Sequence, residues 1–100
     1  MKHIAKEGQI VVAGYVGSVD KKTDSLVVVS VGNRTGKNET EWINLTFTNP
    51  LEGQGGQKLA DFAANYIQKG TFLVAVANEV KKGDYVNNYV VRVELGPKRN

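Results

Sequence analysis

Lys58-Leu59-Ala60-Asp61-Phe62-Ala63-Ala64-Asn65-Tyr66-Ile67-Gln68-Lys69-Gly70 is the one stretch of this 100-residue chain whose apolar residues follow a helical period. Leu59, Phe62, Ala63, Tyr66 and Ile67 fall at i, i+3, i+4, i+7 and i+8, which places them on one face and predicts an amphipathic helix over 58–69 packed on strands. Asp61 in the first turn and Lys69 in the last suit the helix dipole. Gly70 is placed to close the helix in the left-handed conformation. On this reading Tyr66 is a structural member of the buried face.

Outward from the helix, runs dominated by Val, Ile, Leu, Phe and Tyr predict five strands, over 10–16, 26–31, 42–48, 72–80 and 89–95. Turn chemistry separates them at 18–25, 32–38 and 81–84, and the Asn87-Asn88 pair offers a further turn site. The order is therefore three strands, a helix and two strands. The order predicts an all-β fold, a five-stranded Greek-key barrel of the oligonucleotide-binding kind with one helix between its third and fourth strands, with other small β-barrels as the alternative. A chain of this length suits one domain, with its core over about 9–95. Residues 49–57 are Gly-rich and polar and read as a loop from the third strand to the helix. No Gly-Lys-Ser/Thr follows them, so a phosphate cradle is not expected.

Composition narrows the function. The chain has no cysteine, which removes disulfides and thiol chemistry. Charges interrupt residues 1–10, so no signal peptide is indicated. The longest apolar runs, 26–29 and 72–77, fall far short of the roughly 20 residues of a membrane helix. A cytoplasmic protein without a membrane partner is expected. Thirteen Lys and Arg against ten Asp and Glu give a net charge of +3, which favours a polyanionic partner.

The third strand carries the sharpest signal. Alternation in Glu41-Trp42-Ile43-Asn44-Leu45-Thr46-Phe47-Thr48 sends Ile43, Leu45 and Phe47 to one face and Trp42, Asn44, Thr46 and Thr48 to the other. The only tryptophan thus lies on the polar face, either as a surface platform for a stacked base or packed under a loop or subunit contact. Basic residues fall in the expected turns: Lys21 and Lys22, Arg34 and Lys37, and Lys81 and Lys82. A row of cations beside an aromatic platform suits a flexible phosphate backbone with exposed bases. Tyr15 and Tyr85 are further candidates for stacking or for packing on the barrel, and Tyr89, at the start of an alternating strand, is assigned to the core.

The stretch Thr40-Glu41-Trp42-Ile43-Asn44-Leu45, the helix leading to Lys69-Gly70, and Val28-Val29-Ser30-Val31-Gly32-Asn33-Arg34-Thr35-Gly36 together resemble the bacterial and phage single-stranded DNA-binding protein family over about residues 9–95. The resemblance implies a self-associating barrel, a dimer or tetramer, that binds single-stranded DNA without sequence preference in replication, recombination and repair. Trp42 matches the family's stacking tryptophan, and Tyr85 lies within a residue of an aromatic in the hairpin after the fourth strand. A second aromatic, six residues after the tryptophan, is replaced here by Thr48. The connection between the first two strands is shorter than usual. The chain stops at Gly96-Pro97-Lys98-Arg99-Asn100 without the acidic, hydrophobic tail of cellular members. Tail-mediated recruitment of replication proteins is therefore not expected, and the chain reads either as a compact phage or mobile-element member or as one trimmed to its core.

Two other classes of function compete with this one. An enzyme is not expected: His3 is the only histidine, and it lies in a terminus expected to be loose. Glu39 and Glu41 precede a strand, where a solvated role is ordinary. No cofactor or metal is implied. The alternative is a protein-interaction or primosome-type module on the same barrel, which fold alone does not separate from a DNA-binding protein.

Overall fold

Strand alternation builds the interior. In β2 (Gln9–Thr23) Ile10, Val12 and Val16 are buried, in β3 (Leu26–Gly36) Val27, Val29 and Val31, and in β4 (Glu39–Thr48) Ile43, Leu45 and Phe47. Leu73, Ala75 and Ala77 of β5 (Thr71–Lys82) and Val90 of β6 (Tyr85–Lys98) complete the lining. Each large aliphatic or aromatic side chain sealed here contributes about 1.5–3 kcal/mol of burial free energy. The computed structural model describes residues 2–6, 8–36, 39–50 and 58–98.

Antiparallel pairing joins β2 to β3, β3 to β4 and β5 to β6. The ring closes where β4 meets β6 in parallel at Thr46 and Tyr89, and where β2 pairs with β5 from Gln9–Asn78 to Tyr15–Phe72. These are the five expected barrel strands, with the helix between the third and fourth of them. One close approach needs a glycine: a Cβ on Gly14 would overlap the carbonyl oxygen of Gly32 and stand 2.9 Å from Val31 Cγ1.

Several expectations change. Residues 2–6, expected to be a loose terminus, form a strand instead: β1 (Lys2–Lys6), which holds His3, pairs antiparallel with β2. The 18–25 turn shrinks to Asp24-Ser25, and β3 runs through Gly32 to Gly36, since cross-strand hydrogen bonding continues past the apolar core. The Asn87-Asn88 pair is no turn. It lies inside β6, where the buried Asn88 donates from Nδ2 to the backbone oxygen of Asn44 at 3.0 Å.

The helix α1 (Leu59–Tyr66) is shorter than the pattern implied and packs on β3 and β4 through Ala60 and Ala63. Ile67 leaves helical geometry for an extended backbone and turns into the core. Tyr66 is consequently left outside at 63% exposure, its ring 5.2 Å from Phe62. The chain stops the helix here because a turn takes over its backbone: Thr71 N–H donates to Gln68 O, and Gln68 N–H donates to Thr71 Oγ1. Gly70 does adopt positive φ, at 91°, but it serves that turn rather than the helix end. Tyr89 is half-buried and outward-facing, whereas its neighbour Val90 takes the core position.

Candidate nucleic-acid interface

Four strands meet in one cross-strand row on the outer face of the barrel. Trp42 of β4 lies opposite Gly32 of β3, Gly32 opposite Tyr15 of β2, and Tyr15 opposite Phe72 of β5. The glycine between the two aromatics leaves a saddle. Trp42 is 59% exposed and Tyr15 43%, and the Tyr15 ring is steadied edge-on by Phe72 at 5.1 Å and 64°. Around the saddle lies an open groove of about 540 Å³ lined by Tyr15, Gly17, Gly32, Thr40, Trp42 and Lys69. Two aromatic surfaces and a cation in one groove are the chemistry that stacked bases and a phosphate require.

Lys69 is the member that sequence reasoning missed, because its position near a helix end gave it an ordinary dipole role. Its placement comes from tertiary structure. The N–H of Gly70 donates to the carbonyl oxygen of Val16 at 2.8 Å, which docks the helix exit onto β2 beside the groove.

Asn44 lies on the same outer face as Trp42, two residues on. Its Oδ1 accepts the hydroxyl of Ser30, the cross-strand partner, at 2.7 Å, so the side chain is fixed in orientation. Tyr85 is 77% exposed at the β5–β6 hairpin. It precedes Tyr89 by as many residues as Trp42 precedes Thr46, and β4 and β6 run parallel through that pair. Both aromatics therefore extend toward the same end of the barrel. Lys81 is exposed beside the same hairpin tip.

Lys21 and Lys22 sit apart from the groove. They belong to β2 rather than to a loop, and Lys21 pairs across to Val27 and Phe47, about 17 Å along the strands from Trp42. Each also has an acidic partner, Lys21 with Asp24 at 3.4 Å and Lys22 with Asp20 at 2.6 Å. Of the other cations, Arg34 and Lys82 have described backbones, opposite Thr40 and Tyr85, but side chains outside the described set. Lys37 and most of the glycine-rich loop, 51–57, lie outside the described residues.

Among the described residues no cluster of three or more His, Cys, Asp or Glu could hold a metal ion. No helix among them is long and apolar enough to cross a membrane.

The fold has solved counterparts. The mitochondrial single-stranded DNA-binding protein of S. cerevisiae is similar over 93% of this chain and 98% of its own, with a TM-score of 0.75 and 16% sequence identity. In another structure of it the values are 87%, 91%, 0.68 and 17%. An OBody bound to hen egg-white lysozyme is similar over 91% of this chain and 83% of its own, with a TM-score of 0.65 and 18% identity. No protein-family model matches the sequence, and no curated protein does. At these identities the likeness shows the architecture, a closed five-stranded oligonucleotide-binding barrel.

Proposed function

We propose that this protein is a non-enzymatic binder of single-stranded DNA that holds bases on Trp42 and neutralises phosphates with the cations around the groove. The observation that carries the reading is the open indole of Trp42, sharing one groove with Tyr15 and Lys69. Barrel shape alone does not choose between nucleic acid and protein, since one similar barrel is bound to lysozyme. An exposed tryptophan on a strand whose other face supplies Ile43, Leu45 and Phe47 to the core favours nucleic acid. Binding by stacking and counterion release carries little sequence preference, because every base has a π-face.

On this reading Asn44, Tyr85 and Lys81 flank or extend the path of the strand, Arg34, Lys37 and Lys82 are proposed as further phosphate contacts on their charge alone, and Lys21 and Lys22 are peripheral to it. A single domain, a cytoplasmic setting and a role in replication or recombination accompany the proposal. Self-association, as a dimer or tetramer, is supported by an apolar ladder on the outside of β2 and β5, where Val11 faces Val76 and Ala13 faces Val74. Light scattering with and without oligo-dT measures it.

The direct test uses the sole tryptophan. Oligo-dT added to the protein is expected to quench Trp42 fluorescence to saturation at low salt. Flat emission together with no retained oligonucleotide would overturn the proposal in favour of a protein-interaction module.

A further inference from the structure

We propose that Gly17 is a positioning residue, the seat that keeps the Trp42 indole flat on the sheet with one face covered and one open, so that the site accepts one unpaired base per indole. The inference rests on the stacking reading above. Gly17 belongs to β2, two strands away from Trp42, and is the extra residue of a β-bulge: the β2–β3 register steps from Val16–Val31 to Ser18–Ser30 across it. The bulge and the missing side chain together bring this backbone beneath the far edge of the indole.

Clearance at this position is set by one side chain. A Cβ built on Gly17 would overlap Trp42 Cζ3 and stand 2.7 Å from Cη2 and 3.3 Å from Cε3, so its three nearest neighbours all belong to the six-membered ring of the indole. Gly32, midway between, is less strict: its Cβ would meet Thr40 Cγ2 and Trp42 Cζ3 at 3.2 Å and Cη2 at 3.3 Å. Two glycines on adjacent strands therefore form a floor for one ring. The backbone does not itself demand glycine at residue 17, because among the described glycines only Gly8, Gly70 and Gly83 have positive φ. An added methyl group at residue 17 thus acts through the indole and not through backbone strain.

Floor and ring together imply a ligand class. An indole lying against a sheet presents a single stacking face, which an unpaired base can cover fully. Bases already stacked within a duplex have no free face to offer it.

The experiment is a double-substitution cycle, read by anisotropy of labelled oligo-dT, with a labelled duplex as comparison. Gly17→Ala is expected to weaken oligo-dT binding about 5- to 10-fold with the melting temperature and salt dependence retained, from the loss of part of one stacked base. Gly32→Ala is expected to weaken it less. In a Trp42→Phe background, whose smaller ring stops short of residue 17, Gly17→Ala is expected to have no further effect. Equal losses from Gly17→Ala with Trp42 and with Phe at position 42 would overturn the seat while leaving stacking intact, as would unchanged affinity in Gly17→Ala alone. If Gly17→Ala does not fold, the graded loss in Gly32→Ala and its absence in the Trp42→Phe background decide the matter. Unchanged affinity in Trp42→Ala would instead show that the stacking reading itself fails.

Discussion

Asn49 Oδ1 accepts the backbone N–H of Ala60 at 3.0 Å, so the residue just past β4 caps the helix that follows the glycine-rich loop. The same oxygen accepts from Asp61 N at 3.2 Å, and the amide nitrogen donates to Asp61 Oδ1 at 3.1 Å and to Asp24 O at 3.4 Å. No side chain at the usual cap position does this work, since Lys58 makes no capping hydrogen bond. Asn49→Ala is therefore expected to lower stability by about 1–2 kcal/mol, the ordinary worth of a lost cap. Urea unfolding checks it, and an unshifted midpoint would show that the capping bonds carry no weight.

Gly14 provides a contrast with Gly17. A methyl group at residue 14 would overlap the backbone oxygen of Gly32, which cannot rotate away as a side chain can. The β2–β3 approach would have to open, with loss of packing around Val31. Gly14→Ala is expected to destabilise by about 1–3 kcal/mol, as overpacking of a well-filled core does. Thermal melting of Gly14→Ala and Gly17→Ala side by side tests the distinction, and equal melting temperatures would refute it.

Period and alternation made the barrel strands and the helix readable, because Leu45, Phe47 and Val29 lie on one face of their strands whatever else the chain does. Strand ends were less readable. Thr23, Gly36 and Lys82 extend their strands by pairing with Leu26, Glu39 and Tyr85 across tight hairpins, although their own composition favours turns. The outward face of Trp42 followed from alternation alone. The groove did not: Lys69 joins it through the Gly70–Val16 hydrogen bond, and Gly17 underlies the indole through a bulge. Both are tertiary facts with no local signature. The charge of Lys21 and Lys22 is visible in the sequence, but their pairing with Asp24 and Asp20 depends on the strand and turn geometry and is not.

Trp42→Ala is expected to weaken oligo-dT binding by about 1–3 kcal/mol, the worth of one stacked base. Stability should change little, because the ring is more than half exposed and the core beneath β4 is built from Ile43, Leu45 and Phe47. Titration at one fixed salt concentration measures the loss. Full affinity in a correctly folded variant would move the binding surface away from this groove.

Salt dependence separates the cations by where they stand. Each phosphate neutralised on a single strand contributes about 0.7 to the slope of log affinity against log salt. Lys69 lines the groove, so Lys69→Ala is expected to lower that slope by about this amount while Trp42 quenching at saturation persists. Lys81→Ala is expected to act in the same direction, since its side chain is exposed at the hairpin that carries Tyr85. Lys21 and Lys22 already face Asp24 and Asp20 and lie far along the strands from the indole. Their replacement by Ala should leave the slope nearly unchanged, because the acidic partners left behind and the distance both argue against a phosphate contact there. A slope that falls for the Lys21 and Lys22 changes but not for Lys69→Ala would place the strand along the β2–β3 hairpin instead of across the saddle between Trp42 and Tyr15.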